Sequence, residues 1–227
     1  MARYGAIFFL KMKIISNKKI IESLRVVRSL RDFYSKNSVS FGSPCCVNTE
    51  ELVDICERHV GKKIAMFTGD YSACSGRANF ASMYVRGESI DSIWLSPGLD
   101  RRELRYAVAK EPMHVVLSDP EYGSLEIAAT ADSYIEYYQQ HGVRPGLLLA
   151  GNADTPFDSN LTKPAMAEGL ARVAAMEFHF PYAARASHQA LTDEDVAALY
   201  DLPVALIAKF RSPAMMNNLA AAHESAS

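Results

Sequence analysis

The chain has 227 residues, 49% of them hydrophobic and 22% charged, with a formal net charge of −2. That is enough apolar chain to build one large core. The balance of charge excludes the basic excess by which nucleic-acid and anionic-membrane binders declare themselves, and no apolar run in the sequence approaches the roughly eighteen residues of a bilayer span.

In chain order, MARYGAIFFLKMKII contains an apolar run, Ala6 to Leu10, that stops at Lys11 and is shorter than a secretory signal core. Residues 1–19 are therefore expected to form an N-terminal extension to a cytoplasmic protein. Ile21, Leu24, Val27, Leu30 and Phe33 recur at helical spacing and predict a first helix. Asn48 or Thr49, ahead of Glu50 and Glu51, caps a second helix that closes near Gly61. Cys45, Cys46, Cys56 and Cys74 all fall in this first third without a C-x-x-C pair. They read as free thiols in a reducing compartment rather than a metal cluster.

KKIAMF, NFASMYV and SIWLS follow, three short runs rich in aromatic and β-branched residues. They predict a small meandering sheet, its last two strands a hairpin across Arg86–Asp91. SPGLD breaks the pattern, and RRELRYAVAKEPMHVVL returns to helical spacing through Leu104, Val108 and Val115. LEIAATADSYIEYYQQHG predicts another helix, closed by Gly142, and turn-rich 143–163 predicts an exposed excursion. Residues 164–180 make a helix that starts on a proline and is stopped by Pro181.

The tail LTDEDVAALYDLPVALIAKF reads as helix, tight turn, helix, and AAAHESAS as a loose end. The second tail helix offers only Lys209 and Arg211 to DNA, so a structural pair is favoured over a base-reading helix-turn-helix. The expected class is α+β with helices segregated from the sheet. Three parts are expected: the extension, a main domain over 20–185, and a helical pair with its tail over 186–227.

Chemistry concentrates in AVAKEPMHVV, residues 107–116. Glu111 and His114 have the spacing of the last four residues of H-E-x-x-H, the helical motif in which two histidines bind zinc and the glutamate activates the bound water. The first ligand position holds Lys110, whose ammonium has no lone pair and repels a dication. Pro112 removes the amide that would bond Val108 and disfavours helical geometry at Glu111, so a kink or a helix restart is expected there. On spacing alone, a Glu–His pair at i,i+3 or a core histidine with a hydrogen-bond partner is the plainer reading.

RRELRYAVAKEPMHVVL after a strand hairpin resembles the motif helix of the ImmA/IrrE family, metallopeptidase-like regulators of phages and mobile elements. Arg102, Leu104, Ala109, Glu111, His114, Val115 and Leu117 carry the match. EGLARVAAMEFHFPYAAR resembles that family's later helix through Phe178, Phe180 and Pro181, and the tail resembles its closing helical pair. The resemblance spans most of residues 20–212. It implies a mostly helical zincin-like fold with a three-stranded sheet, Glu111 as a vestigial base, and His114 as a metal ligand with Glu168 as a shifted third one. Lys110, Pro112, Glu177 and His179 would line the site.

Leu170 stands where the family's third ligand, a glutamate, is expected. His179 or His188 could replace a lost ligand, or Lys110 could pair with Glu111 or a neighbouring acid and fill the vacated cation position, which is preferred. The expectation is a regulator without a cofactor that binds a protein partner such as a helix-turn-helix repressor, with no membrane and no direct nucleic-acid contact. The alternative is an active zinc endopeptidase that cleaves such a repressor.

Overall fold

The computed structural model describes residues 2–38, 47–69, 82–117 and 163–226, and omits the side chains of 2–17 and 163–168. Its elements are α1 (Ala2–Asn37), α2 (Thr49–Val60), β1 (Lys63–Thr68), β2 (Ser82–Val85), β3 (Ile90–Leu95), α3 (Arg101–Val116), α4 (Lys163–His179), α5 (Tyr182–Ser187), α6 (Asp193–Tyr200), α7 (Val204–Arg211) and α8 (Pro213–Ala226). The chain is mixed α and β, mostly helical, with one small sheet and helices at its C-terminal end. The expected helix at 125–142 and the excursion at 143–163 lie outside the described residues, except for the excursion's last residue, which begins α4, as do Cys45, Cys46 and Cys74.

Local chemistry sets the boundaries. The Asn48 side chain accepts the amides of Glu50 and Glu51, and Gly61 ends α2 at φ 69, a left-handed conformation that glycine adopts without steric cost. Asp100 starts α3 by accepting the amides of Arg102 (2.8 Å) and Glu103 (2.9 Å), while Glu103 returns a bond to the Asp100 amide at 3.1 Å. Thr192 and Asp195 form the same reciprocal box at the start of α6.

The sheet order is β1-β3-β2, with β1 parallel to β3 and β2 antiparallel to it. The hairpin of β2 and β3 is as expected, but β3 lies in the middle, so the sheet is not a meander. Asp91, Ile93 and Leu95 are the buried face of β3. In an antiparallel pair, directly opposed residues share a face. Tyr84 opposes Ile93 and Ser82 opposes Leu95, so both polar side chains face inward with the core.

Helix α3 packs against α2, α4 and both β2 and β3. Every residue from Tyr106 to Met113 is consequently buried, the burial pattern of a central helix rather than an amphipathic surface one. α3 also continues through Pro112 as one helix, so the restart expected there as one alternative does not occur. Packing on all sides outweighs the one hydrogen bond and the local preference that a proline removes.

α1 runs without a break across residue 19, so residues 2–19 are helix continuous with the first core helix. One further expectation is corrected: residues 220–226 are not a loose end but the last part of α8, which buries Met215, Leu219, Ala222 and Ala226 and packs along α1. No helix among the described residues is long and apolar enough to cross a membrane.

Candidate functional site

Two inward side chains on β2 meet two on α3. Residues i and i+2 of a strand are about 7 Å apart and residues i and i+3 of a helix about 4.5 Å, so neighbouring pairs can face one another across the interface. Ser82 Oγ donates to Glu111 Oε1 at 2.5 Å. Two residues along, the Tyr84 ring stacks on the His114 imidazole, centroids 5.6 Å apart and planes 1° from parallel.

The Lys110 ammonium lies 2.8 Å from the same Glu111 oxygen, with side-chain exposures of 9% for the lysine and 1% for the glutamate. Glu111 Oε1 therefore carries two donors. Glu111 Oε2 faces His114 Nε2 at 3.8 Å, beyond hydrogen-bond length. The preferred sequence reading, an ion pair between Lys110 and Glu111, is the arrangement found.

The polar line continues into the hairpin. Tyr84 donates to Asp91 Oδ2 at 3.2 Å, and burial, followed by the Asp91 charge, pushes its phenol well above the ordinary range. Lys62 Nζ lies 2.6 Å from Asp91 Oδ1 and donates to the Gly87 carbonyl at 2.7 Å, while the Gly87 amide donates to Asp91 at 3.1 Å. This buried aspartate is thus fully engaged.

A zinc ion in a site of this motif's kind needs three protein ligands. The first-ligand position is held by an ammonium, and Leu170, at the third, is a buried aliphatic. The Glu168 side chain lies outside the described residues. Among the described residues, no three His, Cys, Asp or Glu side chains gather as a metal-binding group. The described donor set does not fit zinc.

The other sequence candidates go elsewhere. Glu177 is buried and ion-paired with Arg185, and its carboxylate also meets the Tyr182 amide and His223, none of them on α3. His179 is also buried; burial first, then Arg105 and Arg31, hold its pKa down to about 3, so it is neutral. His188, the residue that caps α5, bonds the Ala184 carbonyl of that helix at 2.6 Å. Cys56 is buried and its thiol is pushed up to about 12, which makes it inert as a nucleophile.

Ser82, Tyr84 and Arg185 were not anticipated. For the first two a signal existed: NFASMYV alternates, which places Ser82 and Tyr84 on one face of a strand. Arg185 had none, since an arginine after a proline reads as a solvated residue, yet its side chain is fully buried between Glu177, Phe180 and Phe210.

In the C-terminal pair, Arg101 and Arg102 of α3 reach Asp201, the left-handed turn residue between α6 and α7. Arg211 binds Asp193 and the carbonyls of His188 (3.0 Å) and Leu191 (2.7 Å). That arginine is committed internally, which removes one of only two cations α7 offers to DNA.

No protein-family model, no curated protein and no solved structure matches this chain.

Proposed function

We propose that the chain is a regulatory protein on an ImmA/IrrE-like, zincin-type scaffold. The metal position is taken by the Lys110 ammonium, and the protein acts by holding a protein partner rather than cutting it. The observation that carries this reading is the buried Lys110–Glu111 pair, 2.8 Å apart, with Ser82 on the same carboxylate oxygen. An acid–base glutamate needs an available lone pair and a polarised water. Here Oε1 of the carboxylate is held by a fixed cation and a hydroxyl, so that oxygen is committed to structure.

Two further features support the scaffold. Among the described residues the order is two helices, a small sheet, the motif helix α3, α4, the short α5, the pair α6 and α7, and α8, and α3 packs directly on α4, the helices that bear the two halves of the motif. The lysine supplies the positive charge that this carboxylate environment would otherwise draw from a metal, so the fold keeps its shape without one. The partner class follows from the resemblance: a protein such as a helix-turn-helix repressor, bound in the cytoplasm.

The test is affinity purification from the native cell with wild type and Glu111→Gln in parallel. Both are expected to retain the same intact partner. Cleaved partner with wild type and intact partner with Glu111→Gln would establish an active endopeptidase instead.

A further inference from the structure

A second polar cluster sits away from the motif helix, where α1, α4, α5 and α8 converge. Its hub is Glu177 of α4, 3% exposed. Its carboxylate takes the Arg185 guanidinium and, on Oε2, the Tyr182 amide at 3.2 Å, both from α5, and also His223 Nε2 from α8 at 3.1 Å. Its backbone carbonyl accepts from Arg31 of α1 at 2.9 Å. The His223 ring also stacks on Tyr182, with centroids 5.0 Å apart.

α8 is otherwise held by a short apolar stripe and by two arginines of α1. Its buried stripe is Met215, Leu219, Ala222 and Ala226, half of it alanine. Arg25 and Arg28 of α1 bond the Ser225 and Ala226 carbonyls, each at 3.2 Å, and so complement the negative end of the helix. The imidazole contact with Glu177 is the polar point at which α8, whose Met215 and Leu219 also enter the core, meets a buried charge.

We propose that α8 is an acid-sensitive strap, latched to the body by neutral His223 at the Glu177–Arg185 pair and released when that imidazole gains a proton. The charges decide the direction. Facing His223 are Glu177 from α4, Arg185 and Tyr182 from α5, and Arg28 from α1, with exposed Glu224 beside it on α8. Arg185 already neutralises Glu177 in direct contact. Among the described groups, a proton on His223 therefore adds positive charge beside the guanidiniums of Arg185 and Arg28, with Glu177 already paired to Arg185.

Burial, then Arg185, then Arg28, lower the proton affinity of the docked imidazole below the ordinary value of 6.5. A group with a depressed folded-state pKa binds its proton more readily once released. The imidazole's contribution to docking is then complete above pH 6.5 and declines as pH falls from there toward the lowered value of the docked ring. One proton taken up on release shifts the docking equilibrium by up to about tenfold per pH unit.

The test is amide hydrogen exchange on the full chain at pH 7.5 and 5.0, expressed as protection factors so that the intrinsic pH dependence of exchange is removed. Residues 213–226 are expected to lose about tenfold or more in protection while 101–116 and 169–179 keep theirs. His223→Gln, whose amide still donates to Glu177 but takes no proton, is expected to abolish the drop. Equal loss in all three segments, no loss in 213–226, or a drop that persists in His223→Gln would overturn the proposal. If His223→Gln does not fold, the wild-type comparison of segments decides alone.

Discussion

Replacing Lys110 by methionine removes the charge of the buried pair and keeps most of the stem. Glu111, with 1% side-chain exposure, is left with Ser82 as its hydrogen-bond donor on Oε1 and with an imidazole 3.8 Å away. Breaking a buried ion pair by removing one partner costs about 3–5 kcal/mol, because the other charge stays buried without compensation. A ceiling exists, since the carboxyl can take up a proton instead. From an unfolded-chain value near 4.3, that uptake costs about 3.7 kcal/mol at pH 7 and about 1 kcal/mol at pH 5. Lys110→Met is therefore expected to destabilise by about 3–4 kcal/mol at pH 7 and by about 1 kcal/mol at pH 5. The double variant Lys110→Met/Glu111→Gln should recover most of the loss, because no buried charge is left unpaired. Urea unfolding of the three proteins at both pH values measures this. A loss well under about 1 kcal/mol at pH 7, independent of pH, would mean that the pair is screened like a surface one and that the reasoning is wrong.

His179 is neutral and buried with a pKa near 3, against 6.5 for a free imidazole, so the unfolded chain binds its proton first as pH falls. Its contribution is complete above pH 6.5 and declines toward pH 3 at up to about 1.4 kcal/mol per unit. Urea midpoints across that range should show the slope, and His179→Leu should reduce it; an unchanged slope refutes the assignment. Gly87→Ala would place a Cβ 2.0 Å from the Ile90 carbonyl oxygen, in the turn that also bonds Lys62 and Asp91. A loss on the order of 2 kcal/mol is expected in thermal unfolding, and a neutral result would mean that the turn relaxes freely.

What the sequence revealed and what it hid divide along the range of the interactions involved. Helix α2 was readable because its start and stop are local: Asn48 bonds amides two and three residues on, and Gly61 needs only its own φ. The hairpin of β2 and β3 was readable for the same reason. The place of β3 between β1 and β2 was not, since parallel pairing of Lys63–Thr68 with Ile90–Leu95 joins residues 27 positions apart and leaves no local mark. Helix α8 was missed because its stripe is short and half alanine, and alanine alone does not tell a packed helix from a polar tail.

Pro112 allowed a helix restart that does not occur. Its local cost is real, but the helix that contains it is enclosed by α2, α4 and the sheet. At the candidate site, the sequence supplied Lys110, Glu111 and His114, which lie within one helical stretch. Ser82 and Tyr84 come from a strand 29 and 30 residues earlier, and only the inward face of β2 brings them to the carboxylate and the imidazole.

The central claim is that a lysine ammonium occupies the place of a metal beside Glu111. The most direct measurement is the zinc content of the wild-type chain, equilibrated with excess zinc, desalted and weighed by native mass spectrometry alongside His114→Ala. The account predicts that wild type retains well under one zinc per chain and is indistinguishable from the variant. One zinc retained per wild-type chain and lost in His114→Ala would contradict it.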